Sequence, residues 1–195
     1  SDVTVDATGN IYVADYDNSR VQQFNSSRAY AWTYGVTGVP YVTDGYHYND
    51  PHGLAVAADG SVYIAEESGQ RLVKVNSAGV PQWTIGVPGV AGGWNGDNTY
   101  LNYPDDLALD ATGRVYVVDL WNHRIQIFDP NGTYVSTLGT PGSSGTGNNQ
   151  FNGPRGYADY VAEINRRNEP MLKRCEVIDS LITEQRGQLE RLLDL

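Results

Sequence analysis

From Val3 to about residue 156 the chain alternates apolar and polar positions with a period of two over short runs, and Gly, Asn and Asp punctuate the runs. That pattern predicts short strands separated by tight turns. The runs also recur. Val3-Thr4-Val5-Asp6-Ala7-Thr8-Gly9-Asn10-Ile11-Tyr12-Val13-Ala14-Asp15 is echoed by Leu54 to Glu66 and again by Leu107 to Asp119, with Gly9, Gly60 and Gly113 at one repeat position. Each copy runs on through an arginine (Arg20, Arg71, Arg124) into a third strand such as Ile125-Gln126-Ile127-Phe128. A turn and a fourth strand follow, ending at Gly35, Gly86 and Gly139. Asp6-Ala7-Thr8-Gly9 and Asp129-Pro130-Asn131-Gly132 hold the residue types that set a fixed or positive φ, so consecutive strands are expected to be antiparallel. The expectation is an all-β chain of three four-stranded units, each unable to bury its apolar face alone.

Two further signatures keep the same register. An acid and an arginine (Asp15 and Arg20, Glu66 and Arg71, Asp119 and Arg124) bracket what reads as a five-residue hairpin connection. There the carboxylate can take charge-assisted hydrogen bonds from turn amides or from the guanidinium. A row of ligand-binding arginines is the functional alternative. Just before each first strand stand Tyr48-Asn49-Asp50-Pro51, Leu101-Asn102-Tyr103-Pro104 and Phe151-Asn152-Gly153-Pro154. The apolar residue three positions before each proline reads as an anchor for the connector between units, which makes Tyr48 core.

On Asp119-Leu120-Trp121-Asn122-His123-Arg124-Ile125-Gln126-Ile127-Phe128 and on Val13 to Phe24, the chain resembles the NHL repeat. The middle copy departs most, with Glu66 for Asp and Ser68-Gly69-Gln70 before its arginine. The resemblance implies a partial β-propeller of three antiparallel blades, about 1–53, 54–106 and 107–156. In such blades the connection from second to third strand shares a face with the long connectors, and the two short hairpin turns share the other.

The long-loop face is where recognition residues gather in the sequence. Tyr41, Tyr46 and His47 lie in the first connector, and Trp94, Asn95, Asp97 and Tyr100 in the second. Tyr16, Trp121 and His123 lie in the connections from second to third strand. Aromatic rings beside Asn and Asp suit a protein or carbohydrate ligand, because they offer area and hydrogen bonds at low entropy cost. For any one ring the plainer reading is that it packs its own loop. Some propellers resembling this one are lyases or lactone hydrolases with a metal on the axis. Here His47, His52 and His123 fall at unrelated repeat positions, so no three-histidine metal set is indicated, and neither a nucleophile motif nor a phosphate loop is present. The expectation is a non-catalytic binding scaffold with no cofactor. A fragment of a metal-dependent lyase or hydrolase is the rival.

Charge narrows the partners. The net charge is −10, and seven Lys or Arg face fifteen Asp or Glu in the first 155 residues, which disfavours nucleic acid and anionic membrane. No apolar run is long enough to span a bilayer. The sequons Asn25-Ser26-Ser27 and Asn131-Gly132-Thr133 would both lie on the short-turn face, and an extracellular setting is favoured. Cys175 is the single cysteine, so no intrachain disulfide forms.

At Asp159 the repeat fails, since an apolar residue belongs there. Residues 157–195 read instead as a helical tail. After Asn168-Glu169-Pro170, the residues Met171, Cys175, Ile178, Ile182, Gln185, Leu189 and Leu192 alternate by four and three, as a coiled-coil seam or helical hairpin would. Met171, Cys175, Ile178, Ile182, Leu189 and Leu192 are the expected oligomerisation contacts. An oligomerisation helix, a cap over an open blade and a segment of foreign origin remain alternatives. Because propellers typically close with about four to eight blades, the first and last blades would each leave one apolar face without a neighbour, and a homodimer or further blades are expected to complete the ring, with the tail clasping the partner or capping the third blade.

Overall fold

The computed structural model describes residues 2–39 and 46–156. They fall in one compact unit, Ser1–Tyr157, which is distinct from Ala158–Leu195. The expected tail contacts and Tyr41 therefore lie outside the described residues.

Twelve strands form three meandering four-stranded antiparallel sheets. The first blade is β1 (Val3–Val5), β2 (Ile11–Asp15), β3 (Arg20–Phe24) and β4 (Tyr30–Gly35). The second is β5 (Pro51–Val56), β6 (Val62–Glu66), β7 (Arg71–Val75) and β8 (Pro81–Ile85). The third is β9 (Pro104–Leu109), β10 (Val115–Asp119), β11 (Arg124–Phe128) and β12 (Tyr134–Gly139). The inner strands of the second and third blades begin at Pro51 and Pro104, because a proline can open a strand and an irregularity in the register takes up the residue after it. The connection bracketed by acid and arginine has four residues, not five, since Asp15 pairs directly with Arg20 and Asp119 with Arg124 across the ladder.

The short turns are closed by Asx side chains. Asp6 accepts the main-chain N–H of Thr8 and Asn10, each at 2.9 Å, and Asp110 accepts those of Thr112 and Arg114 at 2.8 and 3.0 Å. Asn25, Asn76 and Asp129 do the same between third and fourth strands. Each such bond replaces a lost ladder partner at the sharpest bend of the chain.

The core lies between blades. Tyr12, Ala14, Val21, Tyr34 and Tyr48 of the first side meet Leu54, Val62, Ile64, Val73 and Val75 of the second. Tyr63, Ala65, Leu72 and Ile85 turn the other way, onto Leu101, Leu107, Val115, Val117 and Phe128. Period-two alternation thus splits β6 and β7 between two interfaces, which explains why these strands read as almost continuously apolar. Burying one such aliphatic side chain contributes about 1.5 to 3 kcal/mol.

The ends are not alike. Val3 in β1 is 59% exposed, whereas Leu54 and Leu107 at the same repeat position are each 3% exposed. In the third blade Val118, Ile125 and Ile127 are buried. The Phe151 ring stands over Gly139 as the Tyr48 ring stands over Gly35.

Candidate functional site

The best-built part of the long-loop face surrounds the connection Leu120–His123. A short 3-10 turn spans Leu120–Asn122 and ends at His123 with φ 53°. Beneath it, Asp119 and Arg124 are wholly buried and joined at 2.6 Å. The Asp119 carboxylate also accepts the Asn102 N–H at 2.7 Å, Asn122 Nδ2 at 2.9 Å and Gln126 Nε2 at 3.1 Å. Burial pushes this carboxyl above the usual carboxylate range, against the pull of Arg124, Asn122 and Asn102. Arg124 spends its remaining N–H groups on the second connector, reaching Asn98 Oδ1 and the carbonyls of Asp97 and Tyr100. The acid and the arginine therefore hold a connector, and neither offers a group to solvent.

Three large rings stand out from this held backbone. Trp94 is 61% exposed, Trp121 48% and Tyr103 38%. Their chain segments are tied together: the Trp121 N–H donates to the Asn102 carbonyl at 3.1 Å and the Leu120 N–H to the Tyr103 carbonyl at 3.4 Å. Gly142 donates to the Asn122 carbonyl at 2.9 Å and passes so close to Trp94 that a side chain at 142 would meet the Trp94 carbonyl. Asn95 and Asp97 lie exposed in the same connector. The Asp97 carboxyl is held below its usual range, first by the Thr99 N–H.

Tyr103 was not among the residues singled out from sequence. It precedes Pro104 with φ 55°, while Asp50 and Gly153 hold the same place at φ 54° and 58°. A bulky residue in the left-handed region costs roughly 1 to 2 kcal/mol. The signal open to sequence reading was the variable position in the repeated Asn-x-Pro, where one copy has glycine and another tyrosine.

The other expected face residues scatter. Tyr16 is half-buried, donates to Glu67 Oε2 at 3.0 Å and meets the His52 ring edge-on at 6.0 Å. Desolvation and then Glu67 raise its pKa. Tyr46 is exposed, but His47 lends its carbonyl to Arg71 at 2.6 Å. Tyr100 is half-buried, with its ring against Gly92. His123 accepts the Gly153 N–H through Nδ1 at 2.9 Å, so it staples the third connector. The structure brings together Trp94, Asn95, Asp97 and Trp121 around one loop, and does not gather Tyr16, Tyr46, His47 and His123 with them.

On the opposite face a cavity of about 590 Å³ lies between the second and third blades, lined by Ala57, Asp59, Tyr63, Lys74, Thr112 and Pro130 among others. Its amine is engaged: Lys74 Nζ donates to the Pro130 carbonyl at 3.3 Å and sits 5.1 Å from the centre of the Tyr63 ring. Among the described residues no three His, Cys, Asp or Glu side chains converge as a metal site would require.

A family model described as the SMP-30/Gluconolactonase/LRE-like region matches residues 2–162. NHL repeat-containing protein 3 of Mus musculus is 34% identical over 85 residues, covering 42% of this chain and 23% of that protein. Protein brain tumor of Drosophila melanogaster is 28% identical over 141 residues, covering 71% of this chain and 12% of that protein. The chain thus spans less than a quarter of either relative. Among solved structures, a protein of unknown function from Bacteroides thetaiotaomicron superposes with a TM-score of 0.59 at 19% identity, over 78% of this chain and 40% of that one. Virginiamycin B lyase from Staphylococcus aureus superposes with a TM-score of 0.51 at 15% identity, over 70% and 39%. At these identities the structures speak for the fold alone.

Proposed function

The chain belongs to the SMP-30/Gluconolactonase/LRE-like family, and from that premise we propose that it is a non-catalytic propeller module that binds a protein or glycan through the loops above its third blade. The observation that carries this reading is Tyr103. Stability favours glycine at that left-handed position, yet the chain places there an aromatic ring, more than a third exposed, beside exposed Trp121. Backbone strain of this kind is kept where the displayed side chain has a use. Exposed rings on a backbone fixed by a buried ion pair lose little entropy on binding, which suits flat sugar faces and apolar side chains alike.

The test is a binding screen of the full chain against a glycan array and a displayed peptide library, repeated with Trp94→Ala and Trp121→Ala. A true ligand should lose at least roughly tenfold in affinity with either variant, as truncating a central aromatic anchor does. The thermal midpoint should stay nearly unchanged. Ligands that bind both variants as well as the parent chain would remove the third-blade face from consideration, and a large fall in midpoint would identify the rings as core.

The family description includes gluconolactonase, which favours a second reading, that of a lyase or hydrolase. Elemental analysis after dialysis against chelator separates the two. A tightly retained stoichiometric zinc or calcium would support the enzyme, whereas the binding module carries none.

A further inference from the structure

Beyond that reading, and independent of it, stands the cavity between the second and third blades, which a substitution inside the repeat accounts for. In the first blade the Tyr12 hydroxyl donates to the Asp6 carboxylate at 3.2 Å, and in the third the Tyr116 hydroxyl donates to Asp110 at 3.1 Å. The second blade keeps the tyrosine, as Tyr63, but has Ala57 where its neighbours have the acid. The turn itself is unchanged. The Ala57 N–H meets the Ser61 carbonyl, and the Gly60 N–H meets the Ala57 carbonyl, as Asp6 and Gly9 do in the first blade. Only the carboxylate has moved: Asp59, two places on, accepts the Ser61 N–H at 2.8 Å, the bond that Asp6 takes from Asn10.

Tyr63 has thereby lost its acceptor. It is 2% exposed and lines the cavity, and none of the described residues hydrogen-bonds to its hydroxyl. A buried hydroxyl without a partner is costly, and folded chains keep few of them. A second change accompanies the first. Where the other blades have Gln23 and Ile127, this one has Lys74, whose Nζ lies 5.1 Å from the centre of the Tyr63 ring. One of its three N–H groups goes to the Pro130 carbonyl at 3.3 Å, which leaves two.

The charged groups lining the cavity are Lys74, Asp59 and Asp110, and Leu109 and Pro130 give it an apolar wall. Lys74 is close enough to help the Ser61 N–H hold the Asp59 carboxyl below its usual range. Two carboxylates against one ammonium disfavour a simple anion, and the apolar wall disfavours a bare polyol. A molecule carrying a carboxylate, an amine and an apolar group matches all three features. At about 590 Å³ the cavity is of the size that small-molecule sites have.

We propose that this cavity binds a free apolar α-amino acid. The ligand carboxylate takes the place that Asp6 and Asp110 hold in the other blades, accepting the Tyr63 hydroxyl and a Lys74 N–H. Its ammonium faces Asp59 and Asp110, and its side chain lies on Leu109 and Pro130.

Isothermal titration of the full chain with leucine, valine and phenylalanine should show saturable binding of at least one of them. The matching amine without the carboxylate, and the matching acid without the amine, should each bind about tenfold more weakly or worse. Tyr63→Phe removes only the unpartnered hydroxyl, so it should weaken the amino acid by about tenfold while the thermal midpoint of the free protein does not fall. Ala57→Asp restores the carboxylate of the other blades and should abolish binding without lowering the midpoint. Lys74→Met gives the same loss by removing the ammonium, and serves if Ala57→Asp does not fold. The absence of saturable binding at millimolar amino acid, as expected if water alone fills the cavity, would overturn the proposal. So would amine or acid analogues that bind as tightly as the amino acid, or affinity that survives Tyr63→Phe and Lys74→Met.

Discussion

The loops Tyr16–Ser19 and Leu120–His123 share a frame, an acid before and an arginine after, the same short 3-10 turn, and the same left-handed last residue. The acid and arginine of one are about a quarter exposed and, among the described residues, reach outside their loop only to the Thr37 hydroxyl, while those of the other are buried and hold a connector by its main chain. The difference teaches that the acid and arginine are not a stabilising pair in their own right. Two charges gain little from each other in water and cost much to bury. The Asp119–Arg124 pair is sustained in the interior because its remaining lone pairs and N–H groups are taken up by the connector.

The largest expected effect follows from removing one charge at each place. Arg124→Ala leaves Asp119 buried and unpaired, and urea unfolding should show a loss of about 3 to 5 kcal/mol. Arg20→Ala should cost under about 1 kcal/mol. Equal costs at the two sites would break the comparison.

The inner strands sharpen it next. Leu107→Ala removes a buried side chain between blades and should cost about 2 to 5 kcal/mol. Val3→Ala, at the same repeat position but exposed, should stay within about 0.5 kcal/mol.

Tyr103 supplies an effect of opposite sign. Tyr103→Gly should raise stability by about 1 kcal/mol, because it relieves a left-handed φ at a bulky residue. The same change should weaken any ligand found on the third-blade face. Thermal unfolding and titration of one preparation check both, and a destabilised variant would show that the ring is needed for packing.

The smallest effect is a pH dependence of the turns. Partial burial raises the Asp6 carboxyl, but the bonds from Thr8 and Asn10 outweigh it and hold it at about 2; the Thr112 hydroxyl leads in holding Asp110 at about 2. Both lie below the unfolded value of about 3.9. Their contribution is therefore present above that value and is lost as pH falls through about 2. The second blade has Ala57 at this position, and its turn draws a dependence of the same sign from Asp59, held below its usual range first by the Ser61 N–H. Replacing Asp6 and Asp110 by Asn should flatten the fall in thermal midpoint between pH 5 and 2 by a few degrees.

Much of this was legible in the sequence. The period, the antiparallel order, the Asp-headed turns and the anchoring roles of Tyr48 and Leu101 all follow from short-range pattern, because a turn or an alternating strand is decided by residues a few places apart. The site was legible only in part. Trp94, Asn95, Asp97 and Trp121 were found as aromatic and polar residues in long loops, whereas Tyr103 was passed over as the filler of a motif. His123 was read as a recognition residue, although its ring is turned inward as an acceptor for Gly153. No local pattern distinguishes a histidine that faces solvent from one that closes a connector.

By itself the sequence determined three repeats, four strands in each, and which side chains share a face of each strand, since these depend on spacing along one chain. Only the tertiary structure decided which of several equivalent positions is covered: Leu54 and not Val3, Asp119 and not Asp15. Equivalent residues carry the same local instructions. Burial depends on what stands opposite them, and in a repeat protein that neighbour comes from the next repeat along the array.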